Sequence, residues 1–153
     1  MFPTENTTTI FLIRHAEKQD DTKNTDLSAE GFERAENWKK YFENTTIDAF
    51  YSSGFQRARH TCQPMAFSRD KNITIYKNHL MDLKKIIAEN RGKTVLIVGH
   101  SNRIPTFINS LLGEEKYPEI LESEFGNLYI IKELGDQITT ELVVPKIKEN
   151  API

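Results

Sequence analysis

The sequence predicts a three-layer α/β/α sandwich built on a mainly parallel central sheet. Three observations carry that prediction. Two runs, Thr9-Ile10-Phe11-Leu12-Ile13 and Thr94-Val95-Leu96-Ile97-Val98, are continuously apolar and β-branched, as expected of strands buried on both faces. Around and between them, short apolar runs alternate with segments of helical periodicity, so right-handed crossovers give a mainly parallel sheet covered on both sides. Two alternating runs then close the chain around Gly135-Asp136, a hairpin turn pattern.

The first strand spans Thr8 to Ile13. The polar residues Glu17 to Thr25 form a surface loop over its carboxyl end, in which Lys18, Lys23 and Asp20-Asp21 are read as solvated. Ser28 is the N-cap of a helix that runs to about Phe42, with Phe32, Ala35, Trp38 and Phe42 recurring near helical spacing. That spacing assigns Phe32, Trp38 and Phe42 to the core. Ile47 to Ser52 is a second strand, ending in Ser52-Ser53-Gly54 before a helix from Phe55 to Phe67. Pro64 is expected to kink that helix or end it early. Cys62 on it is read as a buried small residue, and Arg59 and His60 as surface side chains. Ile73 to Tyr76 is a short strand.

Leu80 to Asn90 reads as a helix with Leu80, Leu83, Ile86 and Ile87 on one face, closed by Arg91-Gly92-Lys93. The strand Thr94 to Val98 follows, then a helix from Asn102 to Leu112. Asn102 is its expected cap, Pro105 stands near its first turn, and Gly113 stops it. Leu128 to Glu133 and Thr139 to Val144 are the closing strands.

The chain has 153 residues, which suits one domain over 1–153 with a frayed tail from about 146. A net charge of −2 and a pI of about 6.1 exclude a large nucleic-acid footprint. The single cysteine excludes an intrachain disulfide and fits a reducing compartment. No His/Cys spacing suits zinc. Met1 to Thr9 lacks an apolar signal-peptide core, and the apolar runs are too short to span a bilayer, so the expectation is a cytoplasmic protein with no membrane partner. The sequence leaves the oligomeric state open.

Chemistry gathers at three strand ends. The first delivers Arg14-His15, the second Ser52-Ser53 and, one turn into the next helix, Arg57; the third delivers Gly99-His100 ahead of a helix. If these strands are adjacent and parallel, the residues meet at the carboxyl edge, where open α/β sheets bind ligands. Two guanidiniums, two imidazoles and free backbone N–H groups suit a phosphoryl group.

The segments Arg14-His15-Ala16-Glu17, Leu27-Ser28-Ala29-Glu30-Gly31, Tyr51-Ser52-Ser53 with Arg57 and Thr61, and Val98-Gly99-His100 resemble the histidine phosphatase superfamily. This is the phosphoglycerate-mutase-like group with the Arg-His-Gly signature, and order and spacing agree from about residue 8 to 113. The chain departs from that signature at Ala16, where the family usually has glycine. The resemblance implies that His15 is the nucleophile, forming a phosphohistidine that water hydrolyses, with no metal and no cofactor. Arg14, Arg57 and His100 then supply electrostatic stabilisation, each worth on the order of 3 kcal/mol in the transition state. The phosphate-binding set is Arg14, His15, Arg57, His100 and Ser101. The attacking imidazole also needs an acceptor, such as a backbone carbonyl, on its other nitrogen.

The family often places an acidic residue after the third strand, and Leu80-Met81-Asp82 stands in that place. Asp82 is the candidate general acid; the competing reading is a first-turn aspartate held by the helix dipole. Glu17 and His79 are alternative donors, and a phosphohistidine substrate needs no strong acid because imidazole leaves easily. The segment between the Arg57 helix and the His100 strand is too short for a capping insertion. An open site favours water as acceptor, and so a phosphatase rather than a mutase. It admits a phosphorylated small molecule or a phosphoprotein. Phosphoglycerate-mutase-type transfer and a non-catalytic phosphate-binding module are the alternatives. The outer wall comprises residues 17–25, 77–82 and 114–127. Glu114, Glu115, Glu119, Glu122 and Glu124 make its last part acidic, which disfavours substrates with extra negative charge.

Overall fold

The computed structural model describes residues 7–77 and 80–145. The chain order is β1 (Thr8–Arg14), α1 (Ala29–Tyr41), β2 (Ala49–Ser53), α2 (Gln56–Phe67), β3 (Ile73–Tyr76), α3 (Leu83–Glu89), β4 (Thr94–Gly99), α4 (Ile104–Leu112), β5 (Leu128–Leu134) and β6 (Gln137–Val143). One six-stranded sheet runs in the order β3-β2-β4-β1-β5-β6. The pairs from β3 to β1 are parallel, and the β5–β6 hairpin adds two antiparallel pairs beyond β1. The α/β/α sandwich expected from the strand–helix alternation is the architecture found.

Strand alternation explains the two apolar layers. Ile13, Leu96 and Val98 point to one face and pack with Trp38 of α1, its C-cap Phe42, and Ala58, Cys62 and Met65 of α2. Ile10, Leu12, Val95 and Ile97 point to the other, against Leu83, Ile86 and Ile87 of α3 and Ile104 and Ile108 of α4. Each central strand therefore buries both its faces, which is why its sequence reads as an unbroken apolar run. The β1–β4 register pairs Arg14 with Gly99. The residues that follow both strands leave the sheet together on its carboxyl edge.

Several sequence expectations need correction. Helix α3 begins at Leu83, not Leu80. Asp82 is extended (φ −139°, ψ 112°) and its Oδ1 accepts the Lys84 N–H at 3.0 Å, so it caps the helix. Leu80 is 66% exposed, and its spacing from Leu83 reflected no shared face. Helix α2 continues three residues beyond Pro64. Pro64 falls in the last turn, where the missing N–H costs the helix a single bond. Phe32 is 45% exposed, at the rim of α1, while Ala35 and Trp38 point inward. Asn102 does not cap α4; the N-cap is Arg103, with no side-chain cap bond. His60 is not simply solvated: its Nδ1 lies 2.6 Å from Asp26 Oδ1 and Phe32 stacks on its ring. The expected tail from 146 and the candidate donor His79 lie outside the described residues. Among the described residues no helix is long and apolar enough to cross a membrane.

Candidate active site

His15 is the first residue beyond β1, and its backbone N–H donates to Gly99 O at 2.9 Å, which extends the ladder by one bond. The side chain is buried. Its Nδ1 lies 2.7 Å from Ala16 O. A carbonyl oxygen only accepts, so Nδ1 carries the proton and the neutral ring keeps its lone pair on Nε2. The acceptor expected for the second ring nitrogen is thus the carbonyl of the next residue. Ala16 is itself buried, and its N–H donates to Thr61 Oγ1 at 2.9 Å. Thr61 Oγ1 in turn donates to Arg57 O at 2.7 Å. These two bonds tie the turn after β1 to the first turns of α2.

His100 leaves β4 beside His15, with ring centroids 5.2 Å apart. Its Nε2 is 2.7 Å from Ser53 Oγ at the end of β2, and Phe55 meets its ring edge-on at 5.2 Å. Arg57 stacks on the same Phe55, 4.8 Å from its ring centre, and donates through Nη1 to Lys23 O at 2.9 Å. Arg14 is buried, with Nη1 donating to the carbonyls of Leu121 (3.3 Å), Glu122 (3.0 Å) and Glu124 (2.6 Å). The Phe125 ring lies 3.9 Å from its guanidinium carbon and is edge-on to His15 at 6.5 Å. The Nε atoms of Arg14 and Arg57 are both buried with no hydrogen-bond partner among the described residues. A buried N–H left in that state is costly, and an anion supplied between them would satisfy it.

The structure therefore brings together Arg14, His15, Arg57 and His100. Ser101 begins the turn that leads into α4, half-buried, beside this group in sequence. Asp82 is exposed, and its described hydrogen bond is the cap of α3; none of the described contacts joins it to the four. Glu17 accepts from Arg34 at both carboxylate oxygens, at 2.7 to 3.0 Å. None of its described hydrogen bonds joins it to the four. Sequence reasoning missed Phe125 and the carbonyls of 121–124, because no local pattern marks them. It also gave Ser53 no role, although its place at a strand end beside the site was visible.

Burial pushes His15 down to about 3, against the help of its Ala16 bond and with repulsion from His100, Arg14 and Arg57. Burial, then Arg57, Arg14 and Arg103, pushes His100 down to about 4. Burial also lowers Arg14 and Arg57 from the usual arginine value, and at Arg14 the carboxylates of Glu122, Glu17 and Glu124 work against it. Both imidazoles are neutral in the fold at pH 5, whereas in the unfolded chain they take up protons below about pH 6.5. The unfolded state then binds more protons, so the stability these groups contribute is present above pH 6.5 and is lost as pH falls towards 4 and 3. At pH 5 the expected loss is about 2 kcal/mol per histidine relative to pH 7.5. Urea unfolding in phosphate-free buffer at both pH values, for wild type and His15→Gln/His100→Gln, measures it. Equal losses in the two proteins would contradict the assignment.

The family model described as histidine phosphatase superfamily (branch 1) matches residues 10–82, just under half of the chain. No curated protein matches the chain in sequence. Solved structures share the fold. A phosphoserine phosphatase from Entamoeba histolytica, a histidine-to-alanine variant in complex with phosphoserine, superposes with TM-score 0.74 at 16% identity, covering 94% of this chain and 100% of that one. The α-ribazole phosphatase from Shigella flexneri gives 0.71 at 19%, covering 90% and 96%. The protein histidine phosphatase SixA, complexed with tungstate, gives 0.67 at 17%, covering 90% and 97%. The family expected from the four motifs is the one whose model matches residues 10–82.

Proposed function

From its match to the histidine phosphatase superfamily, we propose that this chain hydrolyses a phosphomonoester or a phosphohistidine through a covalent phosphohistidine at His15. The observation that carries the reading is the Nδ1–Ala16 bond, which leaves the Nε2 lone pair of a neutral, buried imidazole beside two guanidiniums. In the first step the Nε2 lone pair forms a bond to phosphorus and the P–O bond to the leaving group breaks, its electrons staying on that oxygen. A proton from a donor or from water neutralises it. In the second step water attacks the phosphorus, loses a proton, and releases inorganic phosphate with the electrons of the P–N bond returning to Nε2.

Arg14, Arg57 and His100 stabilise the transferring oxygens in this scheme, and Ser101 is a further phosphate contact. Because the arginines neutralise the phosphoryl charge, the scheme needs no metal. The proton-donor role of Asp82 rests on its position after β3 alone. A phosphohistidine substrate bypasses it, since the leaving imidazole takes up its proton readily. Among the described residues only β3 and α3 stand between α2 and β4, and the 26 residues that separate those two elements leave no room for a long insertion over the site from that side. This supports water as acceptor and a bulky substrate, a phosphorylated small molecule or a phosphoprotein. The relatives are named for phosphoserine, α-ribazole and protein histidine phosphatase activity, and one holds tungstate, an oxyanion of phosphate's shape and charge.

The test is to trap the intermediate. Rapid quenching with a phosphorus-labelled aryl phosphate should give protein-bound label that acid releases and alkali preserves, mapping to the peptide that holds His15. Turnover with label elsewhere, or with none at any quench time under rate-limiting dephosphorylation, would overturn the covalent route.

A further inference from the structure

Arg14 is held by one of its two terminal nitrogens. Nη1 is committed to the carbonyls of Leu121, Glu122 and Glu124, and the Phe125 ring covers one face of the guanidinium. What remains is the edge formed by Nε and Nη2, and Nε is buried without a described partner. Two N–H groups along such an edge match two oxygens of a phosphoryl group. One protein carboxylate already reaches the Nη2 end of it: Glu122 Oε2 is 3.5 Å from Nη2, on a side chain 79% exposed beside an Arg14 side chain 3% exposed.

We propose that Glu122 determines specificity: its carboxylate occupies the phosphoryl-binding edge of Arg14, is displaced by the substrate, and then pairs with a cationic group that the substrate carries beside its phosphoryl group. The inference rests on the phosphatase reading of this site. The displacement is easy in one direction. A long contact from a solvated carboxylate is weak, whereas a phosphoryl dianion can take both Nε and Nη2. Once displaced, Glu122 stands next to two negative charges and repels them unless the substrate brings a cation.

The neighbouring carboxylates cannot share this task. Glu17 is paired with Arg34. Glu124 turns its Oε1 to the Leu121 N–H at 3.0 Å and its Oε2 towards Asn127 at 3.4 Å. Among the described residues the Glu122 side chain contacts Arg14 alone.

Glu122→Gln tests this in two arms. Titration calorimetry with inorganic phosphate at low salt should show about fivefold tighter binding in the variant, with the difference shrinking at 0.5 M salt. Turnover should then be compared for phosphoserine peptides flanked by arginine or by aspartate, and for phosphoethanolamine against phosphoglycolate. Wild type is expected to favour the cationic member by about fivefold or more, and the variant to lose most of that preference. A preference in the peptide pair identifies a phosphoprotein as the source of the cation, and one in the small pair a phosphorylated amine. Phosphate binding unchanged by Glu122→Gln, or a wild type without charge preference in either pair, overturns this inference alone. A wild type that does not bind phosphate overturns the site reading with it.

Discussion

Replacing His15 with alanine is expected to abolish phosphate release from a generic aryl phosphate between pH 5 and 8, a loss of at least about a thousandfold. Among the described residues, the substitution removes the only ring nitrogen whose lone pair the local backbone fixes, through the 2.7 Å bond from Nδ1 to Ala16 O. It leaves Arg14 and Arg57 in place, because Arg14 is held by the 121–124 carbonyls and Arg57 by Lys23 O and Phe55, none of which contacts the His15 side chain. Inorganic phosphate should therefore still bind the variant within about tenfold of wild type, since losing one neutral contact is a small change against two guanidiniums. The split between lost turnover and retained binding separates a nucleophile from a residue that merely shapes the pocket. The pH range adds a second readout. His15 titrates at about 3, so wild-type kcat/KM should show no acid limb at the ordinary histidine value of about 6.5 that belongs to this residue. Activity unchanged by His15→Ala would point to another nucleophile and overturn the mechanism. Phosphate binding without turnover in either protein would favour a phosphate-recognition module.

The strand ends were the legible part of this site. Arg14, His15 and His100 each stand within a residue of a buried strand's carboxyl end, and unbroken apolar runs mark such strands without reference to anything distant. Parallel pairing of β1 with β4 then dictates that Arg14 and Gly99 stand side by side. Arg57 was legible for a related reason, because one helical turn after β2 is a fixed distance from the sheet edge. The supports of these residues were not legible. The carbonyls that hold Arg14 lie more than a hundred positions away in sequence and belong to an irregular segment, so neither periodicity nor turn chemistry announces them. Asp82 shows the converse. An aspartate after Leu80-Met81 reads as a proton donor or as a first-turn aspartate held by the helix dipole, and only its extended backbone and the Lys84 N–H bond reveal a cap. Phe32 and Leu80 failed because helical spacing continues past the point where a helix still faces the core.

Substituting Gly31 with alanine is expected to destabilise the fold by at least about 2 kcal/mol and to reduce activity with it. Gly31 is buried in the first turn of α1. A Cβ built there would stand 2.1 Å from Glu17 O, 3.0 Å from Glu17 C and 3.1 Å from Glu17 N. All three are backbone atoms, so no side-chain rotation relieves the overlap and either α1 or the turn after β1 must move. The same carbonyl accepts the Ser28 N–H at 2.9 Å, and Ser28 Oγ accepts the Gly31 N–H at 3.1 Å. A shift therefore strains the N-cap of α1 together with the peptide two residues beyond His15. That loss of about 2 kcal/mol is net of the roughly 1 kcal/mol that alanine's better helix propensity returns. For a chain of this length the net loss corresponds to a Tm lower by roughly 4–8 °C. Gly54→Ala is the control, since its Cβ would meet only Ile75 Cγ2 at 3.7 Å, an ordinary contact. Thermal unfolding of the two variants beside wild type reads the difference. A Gly31→Ala protein as stable and as active as Gly54→Ala would show that α1 does not have to approach the Arg14-His15 turn this closely.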